Sequence, residues 1–180
     1  AWAARAALAW WGARRAGEAP AVAPAVAIAL AGLCVLAPAA GEVSHSHPNG
    51  TAYYNEAIGS HRGAADRRMM RQFWGYASRG GLEWLNEHAP EGARVWLHNT
   101  TGWSWREYRR AGLVREDLRP SSLATSDFAL YHHQKSFVVR ELEIWRAYGV
   151  RAPAHVYAID GVPLLSIYER PGRGRVEKKP

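Results

Sequence analysis

With 180 residues, 48% of them hydrophobic, the chain is long enough for one folded domain and an appendage, and this composition excludes an intrinsically disordered protein. Its formal net charge of +7 suits partners such as anionic lipid, phosphate-bearing substrates or nucleic acid. The one cysteine, Cys34, excludes a disulfide within the chain and a thiolate metal cluster. Because the sequence begins with Ala1 and not with Met, we expect it to be part of a longer protein.

A charge-free segment lies near the N-terminus. No charged residue occurs between Glu18 and Glu42, and residues 26–37 are apolar on every face of a helix. At about 1.5 Å per residue, the interval 19–41 can cross a hydrocarbon core of about 30 Å. We therefore predict that residues 1–41 are the membrane-spanning end of a helical bundle, with the span at 19–41.

A secretory signal peptide and a buried core helix are the alternatives for this segment. The letters APAAGE at residues 37–42 resemble a signal-peptide cleavage site. About 25 residues precede the apolar centre, however, which is long for a signal peptide.

The flanking charges predict the orientation of the span. Arg14 and Arg15 precede it, and positively charged residues stay on the cytoplasmic side of a membrane. The chain after residue 41 should therefore lie outside the cytoplasmic membrane. Residues 1–15, with Trp10 and Trp11 at the interface, would form the inner end of a preceding helix, which makes the protein a multi-pass one.

Beyond residue 41 the sequence predicts a juxtamembrane loop at 42–65, a soluble α/β domain at 66–170 and a basic tail at 171–180. Asp66 is a candidate cap of a helix whose Met69, Phe73 and Tyr76 share one face; a glycine break and a second helix, LEWLNEHA, follow. Strand and helix patterns then alternate as ARVWLHN, SWREYRRAGLV, DFALYHHQ and FVVRELEIWRAYG. The last two strands, AHVYAID and VPLLSIYER, are joined by an Asp-Gly pair, a strong hairpin signal. This order predicts a three-layer domain whose mixed sheet ends in an antiparallel hairpin.

A family resemblance rests on the order of these segments. The chain contains, in sequence, a hydrophobic helix, HPNGTAYYNEAIGSHRGA, GLEWLNEHAPEGARVWL, SDFALYHHQ and VYAIDGVPLLSIYER. This arrangement resembles the C-terminal part of multi-spanning membrane glycosyltransferases of the protein mannosyltransferase and lipid A aminoarabinose transferase families, which take a sugar from a polyprenyl phosphate carrier. One departure is Ser60, where such stretches tend to have a second glycine.

The resemblance implies an integral enzyme of the cytoplasmic membrane with an extracytoplasmic C-terminal domain. Its partners would be membrane lipid, a polyprenyl-phosphate-linked sugar and the preceding membrane helices of the same protein. Those enzymes use an acidic residue in the first outer loop, a region that we expect upstream of this chain. No catalytic residue is therefore assigned, this chain alone is expected to be inactive, and neither a cofactor nor a nucleic-acid partner is indicated.

The resemblance also gives residues 46–68 a place at the outer mouth of a cavity for the lipid-linked sugar. The candidate contacts with substrate or lipid phosphate are His47, Tyr53, Tyr54, Asn55, Glu56 and Arg62, with Arg67 and Arg68 beside them. Tyrosine rings suit the headgroup level of a membrane, and arginine suits phosphate. In the alternative interpretation the stretch is a structural joint, in which the tyrosines pack, Asn and Glu cap a turn, and Gly59 and Gly63 permit the bend.

Two tryptophans and four histidines complete the candidates. Trp103 and Trp105 follow a strand end, where they can stack on a sugar ring or pack in the core. No zinc spacing is found among His45, His47, His132 and His133, so no metal site is predicted.

A second function hypothesis is a membrane-anchored, non-catalytic extracytoplasmic domain that binds a partner or a glycan. Further hydrophobic spans upstream would favour the enzyme, whereas a reading frame that starts just before Ala1 would favour the binding domain.

Overall fold

The chain divides into two compact units, Ala1–His45 and Ser46–Pro180, and the computed structural model describes residues 2–15 and 22–172 of them. The first unit contains α1 (Trp2–Arg15) and nearly all of α2 (Val22–Ser46). Helix α1 has 14 described residues, too few to cross a membrane by themselves. Most of the tail predicted at 171–180 lies outside the described residues.

Helix α2 is the one helix among the described residues that is long and apolar enough to cross a membrane, a finding of length and composition alone. Residues 25–38 are exposed apart from the half-buried Gly32, so this apolar helix is not the core of a globular domain. The exposure disfavours the buried-helix alternative, while a signal sequence passes the same test of length and composition. The helix also continues beyond residue 41 to Ser46, so the first residues of the predicted juxtamembrane loop are helical.

The elements that follow α2 are short: 3₁₀ turns at Gly50–Ala52 and Glu56–Ile58, and then α3 at Ser60–Asp66. Gly59 has a φ of 90°, which an L side chain rarely adopts. A Cβ atom on Gly63 would lie 1.7 Å from the carbonyl oxygen of Ile58. Both glycines therefore permit the bend, as the joint interpretation expects.

The second unit is a small mixed α/β domain built on one five-stranded sheet in the order β2-β1-β3-β5-β4. The strands are β1 Arg94–Leu97, β2 Arg119–Pro120, β3 Phe128–His132, β4 His155–Ile159 and β5 Val162–Glu169. Strand β1 is parallel to β2 and β3, whereas β5 is antiparallel to β3 and β4. The mixed sheet with a final antiparallel hairpin is thus confirmed, and only the two-residue β2 was not predicted.

The turn between β4 and β5 has the backbone that its sequence predicts. Asp160 and Gly161 have φ values of 52° and 77°. Positive φ at both central residues is the type I′ geometry that matches the twist of a two-residue hairpin, and Asp-Gly is one of the pairs that adopt it most readily.

Hydrophobic side chains pack on both faces of the sheet. Phe128 and Leu130 of β3 belong to a core with α4 (Leu82–His88) and α5 (Gly102–Arg110). The alternate residues Ala129 and Tyr131 belong to a second core with α6 (Val138–Tyr148). The sheet therefore lies between two layers of helix, because successive side chains of a strand point to opposite faces.

The prediction of a helix that starts at Asp66 is wrong. Asp66 ends α3, and residues 67–75 are irregular before a 3₁₀ segment at Tyr76–Gly81. Met69 and Phe73 are 40% and 36% exposed, so the predicted apolar face has no core to pack against. The path of a helix is also interrupted at Arg68 and Trp74, whose φ values of 57° and 64° are not helical.

Close backbone packing at Gly75 gives a stability prediction. A Cβ atom there would lie 1.7 Å from the carbonyl oxygen of Asn99, at a φ of 67°. Gly112 has a φ of 68° and nothing within 4 Å of the same position, so it is a matched control. We expect Gly112→Ala to cost about 1–2 kcal/mol from backbone strain alone, and Gly75→Ala to cost clearly more. Urea unfolding in detergent micelles measures both free energies. Equal losses of stability would mean that the backbone at Asn99 can move away and make room for the added methyl group.

Candidate functional site

Polar side chains gather at the carboxyl edge of the parallel strands. Strands β1 and β3 both end there, with His98 following β1 and His132 closing β3. The β4–β5 turn lies at the same edge, because Leu165, near the start of β5, pairs with His132. In open sheets with parallel strands, this edge is where ligands usually bind.

The imidazole of His132 is sealed inside the domain. Its Nε2 atom lies 3.0 Å from both the Ser78 hydroxyl and the Gly75 carbonyl oxygen, and the Ser78 hydroxyl is also hydrogen-bonded to that of Thr100. Burial, with a smaller effect of the neighbouring His98, lowers the pKa of His132 to about 3. His132 and Ser78 are both 0% exposed, so this Ser-His pair is a structural tie and not an accessible nucleophile.

A solvent-accessible cleft lies beside this tie. Its volume is about 360 Å³, and its lining includes Arg68, Met69, Arg71, His133, Lys135 and Glu141. The lining comes from three separate segments: residues 65–71, the end of β3 with the turn after it, and the first turn of α6. A second depression, lined by Arg62 and the β4–β5 turn, shares Arg71 with the cleft.

The cleft carries an excess of positive charge. Three cations, Arg68, Arg71 and Lys135, face one carboxylate, Glu141. The Glu141 carboxylate accepts a hydrogen bond of 2.7 Å from the Tyr168 hydroxyl. None of the three cations forms an ion pair with another residue of the described ranges. The cleft can therefore accept an anion without displacing a bound carboxylate.

Two further ionisable side chains of the cleft, His133 and Tyr131, are held in their neutral forms. Burial lowers the pKa of His133 to about 4, and the positive charge of Arg71 adds to this effect. The His133 Nε2 atom is 2.7 Å from the Ser166 hydroxyl. Burial also raises the pKa of Tyr131 to about 12, with a further contribution from Glu141. Near neutral pH, the charge of the cleft thus comes from Arg68, Arg71, Lys135 and Glu141 alone.

The stretch predicted to contact substrate is fastened to the domain by long-range hydrogen bonds. Arg62 Nε donates to the Asp160 carbonyl oxygen at 2.7 Å, and the Tyr54 hydroxyl donates to the Met70 carbonyl oxygen at 2.5 Å. Asn49 Nδ2 donates to the Tyr157 hydroxyl at 2.6 Å. These bonds favour the joint interpretation for Tyr54 and Arg62.

The other predicted contacts do not line the cleft. His47, Asn55 and Glu56 are exposed, and Tyr53 is half-buried. Asn55 starts a 3₁₀ turn, but its side chain makes no capping hydrogen bond. Arg67 donates to the carbonyl oxygens of two residues of its own segment, Ile58 at 2.8 Å and Gly63 at 3.0 Å. Of the predicted residues, only Arg68 lies in the cleft.

The two tryptophans of the predicted sugar contact lie in different environments. Trp105 is 1% exposed and belongs to the first core, which favours the core-packing alternative for this residue. Trp103 is 64% exposed, and the Arg106 guanidinium lies 5.2 Å from the centroid of its ring. Stacking on a sugar stays a prediction for Trp103.

The sequence did not predict that four residues of the cleft lie close together: Arg71, His133, Lys135 and Glu141. A usable signal was the run HQK directly after strand β3, since that position lies at the carboxyl edge. Nothing local in the sequence indicates that residues 68–71 fold back to the same place.

No family model, curated protein or solved structure matches the chain. In the described ranges, no three His, Cys, Asp or Glu side chains lie close enough to share a metal ion.

The buried His132 gives a pH prediction. An unfolded histidine has a pKa of about 6.5, whereas the folded value is about 3. Below pH 6.5 the unfolded state therefore binds a proton at His132 that the folded state does not, and the contribution of His132 to the free energy of unfolding should fall by up to about 1.4 kcal/mol per pH unit. Urea unfolding at pH 7, 6 and 5 measures this loss.

His132→Gln keeps an N–H donor for the Gly75 carbonyl oxygen but does not titrate, so it should reduce the pH dependence. His47→Gln, at an exposed position, is the control and should leave it unchanged. An undiminished pH dependence in His132→Gln would assign the effect to other groups.

Proposed function

We propose that the chain is the C-terminal part of an integral-membrane glycosyltransferase that takes its sugar from a polyprenyl phosphate carrier. In this proposal the α/β domain lies outside the cytoplasmic membrane, and the cleft receives the phosphate end of the carrier. The observation that carries it is the cleft with three cations and one carboxylate, in a domain that begins at Ser46, where the candidate membrane helix ends.

The cations of the cleft suit a phosphate group. Arg71 is half-buried, so its guanidinium is partly shielded from water and its interaction with an anion is correspondingly stronger. Lys135 and Arg68 are exposed at the rim, where they can attract the anion from solution. A phosphate contacted by arginine forms charge-assisted hydrogen bonds, which are stronger than those between neutral groups.

The apolar part of the lining suits the hydrocarbon end of the same ligand. Met69 and Val138 line the cleft and are 40% and 51% exposed. A polyprenyl phosphate carries a charged head on an apolar chain, so a ligand of this class satisfies both parts of the lining. A nucleic acid would pair its phosphates with the cations but leave the apolar wall exposed.

The membrane-anchored binding domain is the alternative supported by a separate observation. The serines of the two Ser-His pairs described above are both buried, with Ser78 0% and Ser166 2% exposed, and Glu141, the carboxylate of the cleft, is already hydrogen-bonded. Both facts fit a domain that binds without catalysing. They also fit an enzyme whose catalytic carboxylate lies upstream.

Binding of polyprenyl phosphate tests the proposal directly. We expect the chain in nanodiscs to bind polyprenyl phosphate, and Arg71→Gln to weaken binding about tenfold or more through loss of a charge-assisted contact. Arg110→Gln removes an exposed arginine of α5 that pairs with Glu107 outside the cleft, so it should bind as the unchanged chain does. Thermal unfolding of each variant shows whether its fold is kept. Equal binding by both variants, or none by the unchanged chain, would contradict the assigned cleft.

The orientation of the domain is tested separately. Because Arg14 and Arg15 precede the candidate span, a reporter that is active only outside the cytoplasm should be active when fused after Pro180. Replacing both arginines by alanine should lower this activity, since it removes positive charge from the inner flank. Activity of a cytoplasm-only reporter at the same position would contradict the topology and the transferase proposal together.

A further inference from the structure

The irregular segment 67–75, named here the Arg–Trp loop, exposes several large apolar side chains together. Trp74 is 91% exposed, and Met69, Met70 and Phe73 are between 36% and 40% exposed. Single exposed apolar residues are ordinary on a protein surface, but four of them within six consecutive positions indicate a contact surface.

The loop is held in this exposed conformation. Trp74 has a φ of 64°, a region that bulky residues avoid, and the next residue, Gly75, packs against the Asn99 backbone. The Met70 carbonyl oxygen accepts the Tyr54 hydroxyl, and Arg71 Nη1 lies 3.4 Å from the Pro163 carbonyl oxygen. These contacts, before and after Trp74 in the chain, therefore keep its indole from folding back onto the domain.

The composition of the loop fits the interface of a bilayer. Arg67, Arg68 and Arg71 alternate with the methionines and aromatic residues, and the loop contains no acidic residue. Tryptophan is enriched at the headgroup level of membranes, and arginine there can meet lipid phosphate.

The loop is also tied to the chain that leaves the candidate span. Tyr54 is eight residues beyond Ser46, the end of α2, and eight extended residues reach at most about 28 Å. The headgroup region is therefore within reach of the loop when α2 is inserted.

We propose that the Arg–Trp loop inserts Phe73 and Trp74 into the interfacial region of the bilayer that α2 spans, with Arg68 at the lipid phosphates. The loop thus fixes the cleft at the membrane surface. This proposal depends on α2 spanning a membrane, but not on transferase activity.

Fluorine NMR of the full chain tests the contact. The chain is labelled with 5-fluorotryptophan and reconstituted in phosphatidylcholine–phosphatidylglycerol nanodiscs. Trp74→Phe assigns the Trp74 signal by its disappearance. Trp84→Phe assigns the control: Trp84 stacks on His155 at the start of β4, at the opposite edge of the sheet.

A nitroxide-labelled lipid should remove most of the Trp74 signal and leave the Trp84 signal intact, while a water-soluble paramagnetic chelate should affect Trp74 little. Loss of the Trp74 signal to the chelate but not to the lipid would overturn the proposal. Protection from both agents would place the loop against protein instead, and failure of the chain to insert would remove the basis of the proposal; both outcomes overturn it. Because no carrier is added, the result is independent of the polyprenyl phosphate experiment.

Discussion

The burial of strand β3 on both faces is the constraint on which the rest of the domain depends. All five of its residues are buried, and the first four alternate between two cores. The last of them, His132, is polar, so its ring must find partners inside the domain. It finds them in Ser78 and in the carbonyl group of Gly75. The end of one strand thereby fixes the position of the Arg–Trp loop and, with it, one wall of the cleft.

In this arrangement the stretch at residues 46–68 can be a structural joint and still help to form a ligand-binding surface. The hydrogen bonds of Tyr54 and Arg62 hold the stretch after α2 against the domain, so these side chains have a structural use. Because the stretch is held, the arginines that follow it are placed beside Lys135 and Glu141. These hydrogen bonds therefore help to form the charged cleft, which includes only Arg68 of the contact residues predicted from the sequence.

Local rules made most of the fold predictable. Alternating or continuous apolar runs marked β1, β3, β4 and β5, and the Asp-Gly pair marked the final hairpin. The Arg–Trp loop was mistaken for a helix because contacts distant in sequence, such as that of Gly75 with Asn99, override its local pattern. The cleft was missed for the same reason, since no local pattern joins Arg71 to Glu141. Trp105 shows a further limit: its position after a strand fits both a core residue and a ligand contact.

The position of β5 has a consequence for the order in which the protein is made. Of the five strands of the sheet it is the last to leave the ribosome, yet it lies between β3 and β4 and pairs with both. Until β5 is complete, β3 has an unpaired side, and an unpaired strand edge can pair with other chains. Synthesis of the chain through β5 must therefore precede closure of the sheet, and a chaperone that shields β3 during that interval would protect the domain from aggregation.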